Sequence, residues 1–196
     1  MTTARTGAGP SWRSVNAPSA ALLALAAVAW VAVVVSARSM GGTMAGTMGL
    51  SLGAFTLVWA LMMTAMMLPT IAPFVALYTR TFTDDAAGRT VALACGYLLV
   101  WTAAALPAYA LAALAESIVS ARPAAATGVA AALFAVVGVY QLTPLKERCL
   151  ARCRSPLGLL FAYGSGRGRL HDVRVGLRHG GFCLACCWAL MTVLVA

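Results

Sequence analysis

Long apolar runs separated by short polar segments dominate the chain. The runs are Ala20 to Ala37, Leu50 to Leu68, Thr90 to Leu114, and Pro123 to about Leu142. A helix that spans a bilayer needs about 20 predominantly apolar residues, and about 17 is the lower bound. The pattern therefore predicts four transmembrane helices in an all-α, polytopic bundle.

Prolines mark where these predicted helices bend or begin. The second helix continues through Pro69 and Pro73 to Tyr78, and the third contains Pro107. Proline removes one backbone hydrogen bond and clashes with the preceding turn, so we expect a bend at Pro107. Pro123 is a suitable first-turn residue for the fourth helix.

The two ends of the chain leave alternatives open. Residues 1–19 are polar and predict a disordered tail. The run after them could be a signal peptide, because Val35-Ser36-Ala37 resembles a cleavage site, but it exceeds the usual ~7–15 apolar residues, which favours a retained anchor. The last apolar run begins at Phe182 and is short of a comfortable span. We expect a short fifth helix there, either cut short or inserted partway, within one helical domain over residues 20–196.

Composition supports a membrane protein. Apolar residues make up 62% of the chain and charged residues 10%, whereas soluble domains have roughly 45–50% and 25%. The net charge of +9 could suggest nucleic acid, but the distribution of the charges gives a simpler explanation, and we expect no nucleic-acid partner.

The cations fall mainly on one side of the predicted topology. If the connecting segments alternate between sides, only Arg38 and Arg122 lie on the other side. The remaining cations are Arg5, Arg13, Arg80, Arg89 and the eight from Lys146 to Arg178. By the positive-inside rule, the amino terminus, the 80–89 loop and the basic segment 143–181 are predicted to be cytoplasmic, in a bacterial inner membrane.

The basic segment also predicts a surface helix. Leu170, Val173 and Leu177 recur at helical spacing with arginines between them. Such a helix would lie on the anionic lipids of the inner leaflet, although docking of another membrane subunit is an alternative.

Two groups of cysteines lie in this cytoplasmic part of the chain. Cys149 and Cys153 are four residues apart and would share a helix face. Cys183, Cys186 and Cys187 follow Gly180-Gly181, which would let the backbone turn so that these thiols occupy the first turn of a helix. There the helix dipole would favour thiolates, which select copper(I), zinc or iron–sulfur clusters.

Other soft or nitrogen donors could complete a metal site. His179 lies four residues before Cys183 and is an alternative ligand, as is Cys187. Met62, Met66 and Met67 could form a route or secondary site for copper(I). The competing interpretation is packing, since methionine and free cysteine are adaptable apolar residues, and we assign Cys95 to packing. A disulfide is disfavoured on the reducing side of the membrane.

A catalytic function has little support. The five acidic residues all fall in predicted loops or at helix ends: Asp84, Asp85, Glu116, Glu147 and Asp172. No nucleophile and base are paired, so we expect a protein that is not an enzyme.

Several motifs resemble one bacterial family over roughly residues 50–196. They are Trp59-x-x-Met62-x-x-x-Met66-Met67-Leu68-Pro69-x-x-x-Pro73, Gly96-Tyr97, Tyr140-Gln141-x-Thr143-Pro144-Leu145-Lys146-x-x-Cys149-x-x-x-Cys153-Arg154-Ser155-Pro156 and Gly176-x-x-His179-Gly180-x-x-Cys183-x-x-Cys186-Cys187-Trp188. The chain is similar to the integral membrane proteins described as predicted metal-binding, a family without an established function. The resemblance implies a metal site formed by the two cysteine motifs in a membrane protein.

The favoured function is therefore binding or handling of a soft metal ion at the cytoplasmic face, with copper(I) ahead of zinc. Cys149, Cys153, Cys183 and Cys186 would be its core ligands. One alternative is a membrane thiol–disulfide oxidoreductase that uses the C-x-x-C pair, and another is a structural subunit with a basic docking surface.

Overall fold

The computed structural model describes residues 12–39, 46–47, 49–81, 85–153, 155–163, 166 and 168–193. Residues 1–11 of the predicted tail lie outside these ranges. The described residues form eight α-helices and no strand: α1 (Trp12–Ser39), α2 (Leu52–Tyr78), α3 (Ala86–Ala103), α4 (Ala105–Ala121), α5 (Ala126–Gln141), α6 (Pro144–Cys153), α7 (Pro156–Tyr163) and α8 (Arg169–Val193). Short 3₁₀ turns at Thr79–Thr81 and Pro123–Ala125 extend α2 and precede α5. The all-α prediction is confirmed.

Four helical stretches of the described chain are long and apolar enough to cross a bilayer. They are Ala17–Ser39, Leu52–Thr81, Ala86–Ala121 and Pro123–Gln141. Large apolar side chains such as Val31, Phe134 and Val139 point outward and are more than half exposed. Exposed apolar surface of this kind marks a region that contacts a membrane or another protein.

The helix boundaries follow local sequence. Helix α1 begins at Trp12, several residues before the apolar run, so residues 12–19 are helical. Ser51 caps α2, since its side chain accepts a hydrogen bond from the Ala54 N–H, and α2 continues through both prolines to Tyr78. The helix of the third run is interrupted at Ala104, between α3 and α4. The interruption agrees with the predicted bend, because Pro107 cannot donate a hydrogen bond to the carbonyl of Ala103.

Helix α8 differs from the prediction. It is one continuous helix of 25 residues, not a short helix that begins at Phe182 after a glycine break. Close packing between α8 and α3 is made by other glycines, Gly176 on α8 and Gly96 on α3. A Cβ on Gly176 would lie 2.1 Å from the carbonyl oxygen of Leu93, and one on Gly96 would lie 2.3 Å from that of Val173. Helix backbones this close leave no room for a side chain at these two positions, and α8 continues along α3 without a break.

The buried face of α8 also differs from the predicted apolar face. Leu170 is 78% exposed, whereas Asp172 is fully buried. The buried stripe recurs every three or four residues: Asp172, Val175, Gly176, His179, Gly180, Cys183 and Cys186. Residues at this spacing share one helix face. The face of α8 that packs against the other helices therefore includes a charged residue and thiols, and the predicted contact of Leu170, Val173 and Leu177 with lipid stays a prediction.

A buried ion pair anchors the first turn of α8. Arg89 Nε donates to Asp172 Oδ2 at 2.9 Å and Arg89 Nη2 donates to Asp172 Oδ1 at 2.8 Å. The hydroxyl of Tyr78 also donates to Asp172 Oδ1. The sequence predicted Arg89 at the end of a polar loop and Asp172 in a loop or at a helix end. Both residues lie in the first turns of helices, α3 and α8, and with Tyr78 they join the ends of three helices.

Candidate metal centre

Three thiols cluster on the buried side of α8. The sulfur atoms of Cys183, Cys186 and Cys187 all lie within 4.8 Å of one another, and those of Cys186 and Cys187 are 3.3 Å apart. The spacing i, i+3, i+4 brings such side chains together on a helix. Cys183 and Cys186 are buried and Cys187 is half-buried.

Helix α6 contributes a fourth sulfur. Cys153 Sγ lies 3.8 Å from Cys186 Sγ, although 33 residues separate the two in the chain. The guanidinium of Arg152 lies over the ring of Phe182, 5.0 Å from its centroid, and helps to hold α6 against α8. Cys149 is half-buried one turn earlier on α6, and it is not one of the thiols in the three-sulfur group. All six cysteines are free thiols.

The sulfur atoms support a thiolate at Cys183. Hydrogen bonding among the neighbouring sulfurs of Cys153, Cys186 and Cys187 lowers the pKa of Cys183, and the Cys186 S–H donates to the Cys183 carbonyl oxygen at 3.1 Å. The same hydrogen bond to Cys183 raises the pKa of Cys153 to about 12. Hydrogen bonds to the charged form of a group favour that form. Within the cluster, the pKa shifts thus favour negative charge on Cys183 over its neighbours.

The predicted cause of thiolate formation was different and is incorrect. Because α8 begins at Arg169, Cys183 lies in the helix interior rather than in the first turn. The field of a helix dipole falls off within that first turn. Neighbouring S–H donors, not the helix terminus, favour the thiolate.

His179 is buried one turn before Cys183. Its imidazole lies between the rings of Phe74 and Tyr97, with centroid distances of 5.4 Å and 5.6 Å. Only 3% of the residue is exposed, and its Nδ1 atom has no hydrogen-bond partner among the described residues. Buried polar atoms are rarely left unpaired, so this nitrogen is suited to a ligand that the protein itself does not supply.

The predicted methionines lie in or against the apolar core that contains Cys183, without an observed ligand contact. Met67 belongs to the same buried apolar core as Cys183, and Met62 and Met66 pack against that core while remaining half-buried. Met63, which the sequence did not single out, is fully buried. The structure thus places these methionines and Cys183 in or against one extended apolar core.

Tyr97 is a part of the site that sequence reasoning missed. Its hydroxyl donates to Cys183 Sγ at 3.1 Å and lies 3.2 Å from Thr70 Oγ1. The pair Gly96-Tyr97 stands out in the sequence, but an aromatic residue in an apolar helix indicates packing by itself. Only the approach of α8 to α3 shows the polar role of the hydroxyl.

Comparison with known proteins identifies the family. No curated protein and no solved structure matches the chain significantly. Residues 56–196 match the sequence profile of the family described as PpoB2, copper chaperone. The matched region covers α2 from Thr56 onward, α3 through α8 and every thiol of the cluster. The chain belongs to the PpoB2 copper chaperone family.

Proposed function

We propose that this protein binds copper(I) as cargo at Cys183, Cys186 and Cys187, within a bundle of membrane-spanning helices. The observation that carries the proposal is the group of three sulfurs within 4.8 Å of one another, in a chain of the copper chaperone family. Cys153, on α6, is an additional ligand that can join or leave the metal.

The sulfur spacing suits a single metal ion. Metal–thiolate bonds of about 2.3 Å place two sulfurs of a tetrahedral or trigonal site roughly 3.8–4.0 Å apart. The distances of 3.3 Å and 3.8 Å from Cys186 Sγ to its neighbours are within a small rotation of that value. Soft thiolates favour copper(I), while four sulfurs would also satisfy zinc, which is the competing cargo.

The other candidate ligands have secondary roles in this proposal. His179, one turn before Cys183 on α8, offers its unpartnered Nδ1 as an alternative donor. Cys149 would receive the ion before Cys153, since the two lie one turn apart on an exposed helix. Met62, Met66 and Met67 would form a secondary site on α2.

Membrane insertion in the proposed orientation is supported by the shape of the bundle. The hydroxyl of Tyr140, at the end of α5, donates to the carbonyl oxygen of Ala185, so the sulfur cluster lies level with the end of the fourth candidate span. Asp172, in the first turn of α8, lies farther from the proposed membrane interior, about 21 Å from Cys186 along the helix at roughly 1.5 Å per residue. The cations of α6 and of the first half of α8 would then face the cytoplasm and the anionic lipids of a bacterial inner membrane.

Copper binding can be measured directly. The protein is purified under reducing conditions in detergent, loaded with copper(I), and titrated with a chromophoric copper(I) chelator. We expect about one tightly bound copper per chain, and its loss when Cys183, Cys186 and Cys187 are all changed to serine. Cys95→Ser is the matched control, because Cys95 is exposed on α3. Equal copper retention by the triple variant and the wild type would refute the proposal, and preferential retention of zinc would change the cargo.

The orientation has a separate test. Intact cells and inverted membrane vesicles are treated with a membrane-impermeant maleimide, and labelling of Cys149 is compared in variants that retain only this cysteine. We expect labelling in inverted vesicles alone. Labelling in intact cells would place the thiols on the oxidising side and favour a thiol–disulfide oxidoreductase.

A further inference from the structure

Tyr97 joins three helices at the depth of the sulfur cluster. The residue is fully buried on α3. Its ring stacks on His179 of α8 at an interplanar angle of 29°, and its hydroxyl reaches Cys183 on α8 and Thr70 on α2. With its ring held on the imidazole, the hydroxyl cannot move away from the thiols without displacing a packed side chain.

The hydroxyl hydrogen of Tyr97 has two acceptors. It can be donated to Thr70 Oγ1 or to Cys183 Sγ, but to only one of them at a time. The Thr70 hydroxyl donates its own hydrogen to the carbonyl oxygen of Met67 at 2.7 Å, which leaves its oxygen as a neutral acceptor. A charged sulfur is a stronger acceptor than a neutral oxygen. The hydrogen therefore goes to Cys183 whenever that sulfur carries negative charge, as it does when it binds a metal.

This hydrogen bond restricts the direction of the sulfur. A cysteine side chain on a helix has few staggered positions, and the one that accepts from Tyr97 also keeps Cys183 within reach of Cys186 and Cys187. An O–H group that merely needed a partner could have used Thr70 alone. Outer groups that orient metal ligands in this way commonly change metal affinity by 10–100-fold.

We propose that Tyr97 is a positioning residue whose hydroxyl keeps Cys183 in place as the third sulfur ligand of copper(I). This inference rests on the proposed function. The phenol does not bind the ion itself. Without the hydroxyl, Cys183 turns away and copper(I) remains on two sulfurs, an arrangement that binds more weakly.

The test compares Tyr97→Phe with Tyr109→Phe. The first change removes the hydroxyl and keeps the ring that stacks on His179. The second makes the same change on α4, where the hydroxyl contacts the carbonyl oxygen of Leu50, at the other end of the bundle. X-ray absorption of the copper-loaded proteins gives the number of sulfur ligands, and chelator competition gives the affinity. We expect Tyr97→Phe to fall from three sulfurs to two and to bind copper(I) about 10-fold more weakly. Tyr109→Phe should match the wild type in both measurements.

Thr70→Val should have the opposite effect on the hydrogen bond to Cys183 from that of Tyr97→Phe. It removes the competing acceptor and leaves Cys183 as the acceptor that remains in contact with the Tyr97 hydroxyl, so three sulfurs and an affinity at least equal to that of the wild type are expected. Three sulfurs and unchanged affinity in Tyr97→Phe would overturn the inference, and so would an equal loss in Thr70→Val, which would indicate general packing. Failure of the wild type to bind copper would instead refute the proposed function.

Discussion

The buried ion pair between Arg89 and Asp172 gives a quantitative test of how α8 is held. Asp172→Asn keeps the shape of the side chain but removes the negative charge. The side chain of Asp172 is fully buried and that of Arg89 is 11% exposed. Removing one partner of a buried ion pair costs about 3–5 kcal/mol, so we expect a loss of that size in the free energy of unfolding.

The assay is equilibrium unfolding in mixed micelles, followed by the helical circular dichroism signal as denaturing detergent is added. A second ion pair in the chain supplies the control. Arg169 Nη2 donates to Asp85 Oδ2 at 3.1 Å, but both side chains are at least half exposed. Asp85→Asn also preserves the helix cap to the Gly88 N–H, because asparagine caps as well as aspartate. Exposed pairs contribute little, so its unfolding curve should overlie that of the wild type.

Two results would refute this reasoning. An Asp172→Asn variant that unfolds at the same detergent concentration as the wild type would show that the ion pair does not hold α8. Equal destabilisation by Asp172→Asn and Asp85→Asn would show that burial does not determine the contribution of an ion pair here. The ion pair also fixes the position of α8, which carries the sulfur cluster. Copper(I) affinity and the free energy of unfolding should therefore both fall in Asp172→Asn, and neither should fall in Asp85→Asn.

Two further predictions concern the packing and ligands of α8. Gly176→Ala should lower the free energy of unfolding by about 1–3 kcal/mol or more, because its Cβ would overlap the Leu93 carbonyl. Gly181→Ala faces open space and should raise the free energy of unfolding by at most about 1 kcal/mol through helix propensity. The same unfolding assay compares the two variants, and equal effects would contradict the packing argument. Cys153 lies beside Cys186 and would support the three ligands from outside, so Cys153→Ser should weaken copper(I) binding by about 10-fold, whereas Cys95→Ser should leave it unchanged. Chelator competition measures both, and a wild-type affinity in Cys153→Ser would show that α6 does not contribute to the site.

The apolar runs were sufficient to predict the helices of the first two thirds of the chain. Their lengths exceed what a strand or a loop requires, and local signals such as Ser51 and Pro107 set the boundaries. The same reasoning was wrong for α8, because glycine is ambiguous. Glycine weakens an isolated helix, yet at Gly176 it permits a backbone contact with α3 that no other residue allows, and α8 continues unbroken through Gly180-Gly181.

The charged residues show the same limit. Asp172 lies among arginines in the sequence and indicates an exposed loop, because an acid is rarely buried without a partner. Its partners are Arg89 and Tyr78, more than 80 residues away. A pattern read along one segment does not contain them.

The sequence by itself determined the helical fold, the four long apolar helices and the soft chemistry of the thiols, because run length and residue type are local properties. The tertiary structure decided which face of α8 is buried, that Cys153 approaches Cys186, and that the Tyr97 hydroxyl reaches Cys183. These contacts depend on the distance and rotation between helices. Close backbone packing at Gly96 and Gly176 sets the distance and the rotation between α3 and α8, and the arrangement of the sulfur atoms depends on that packing.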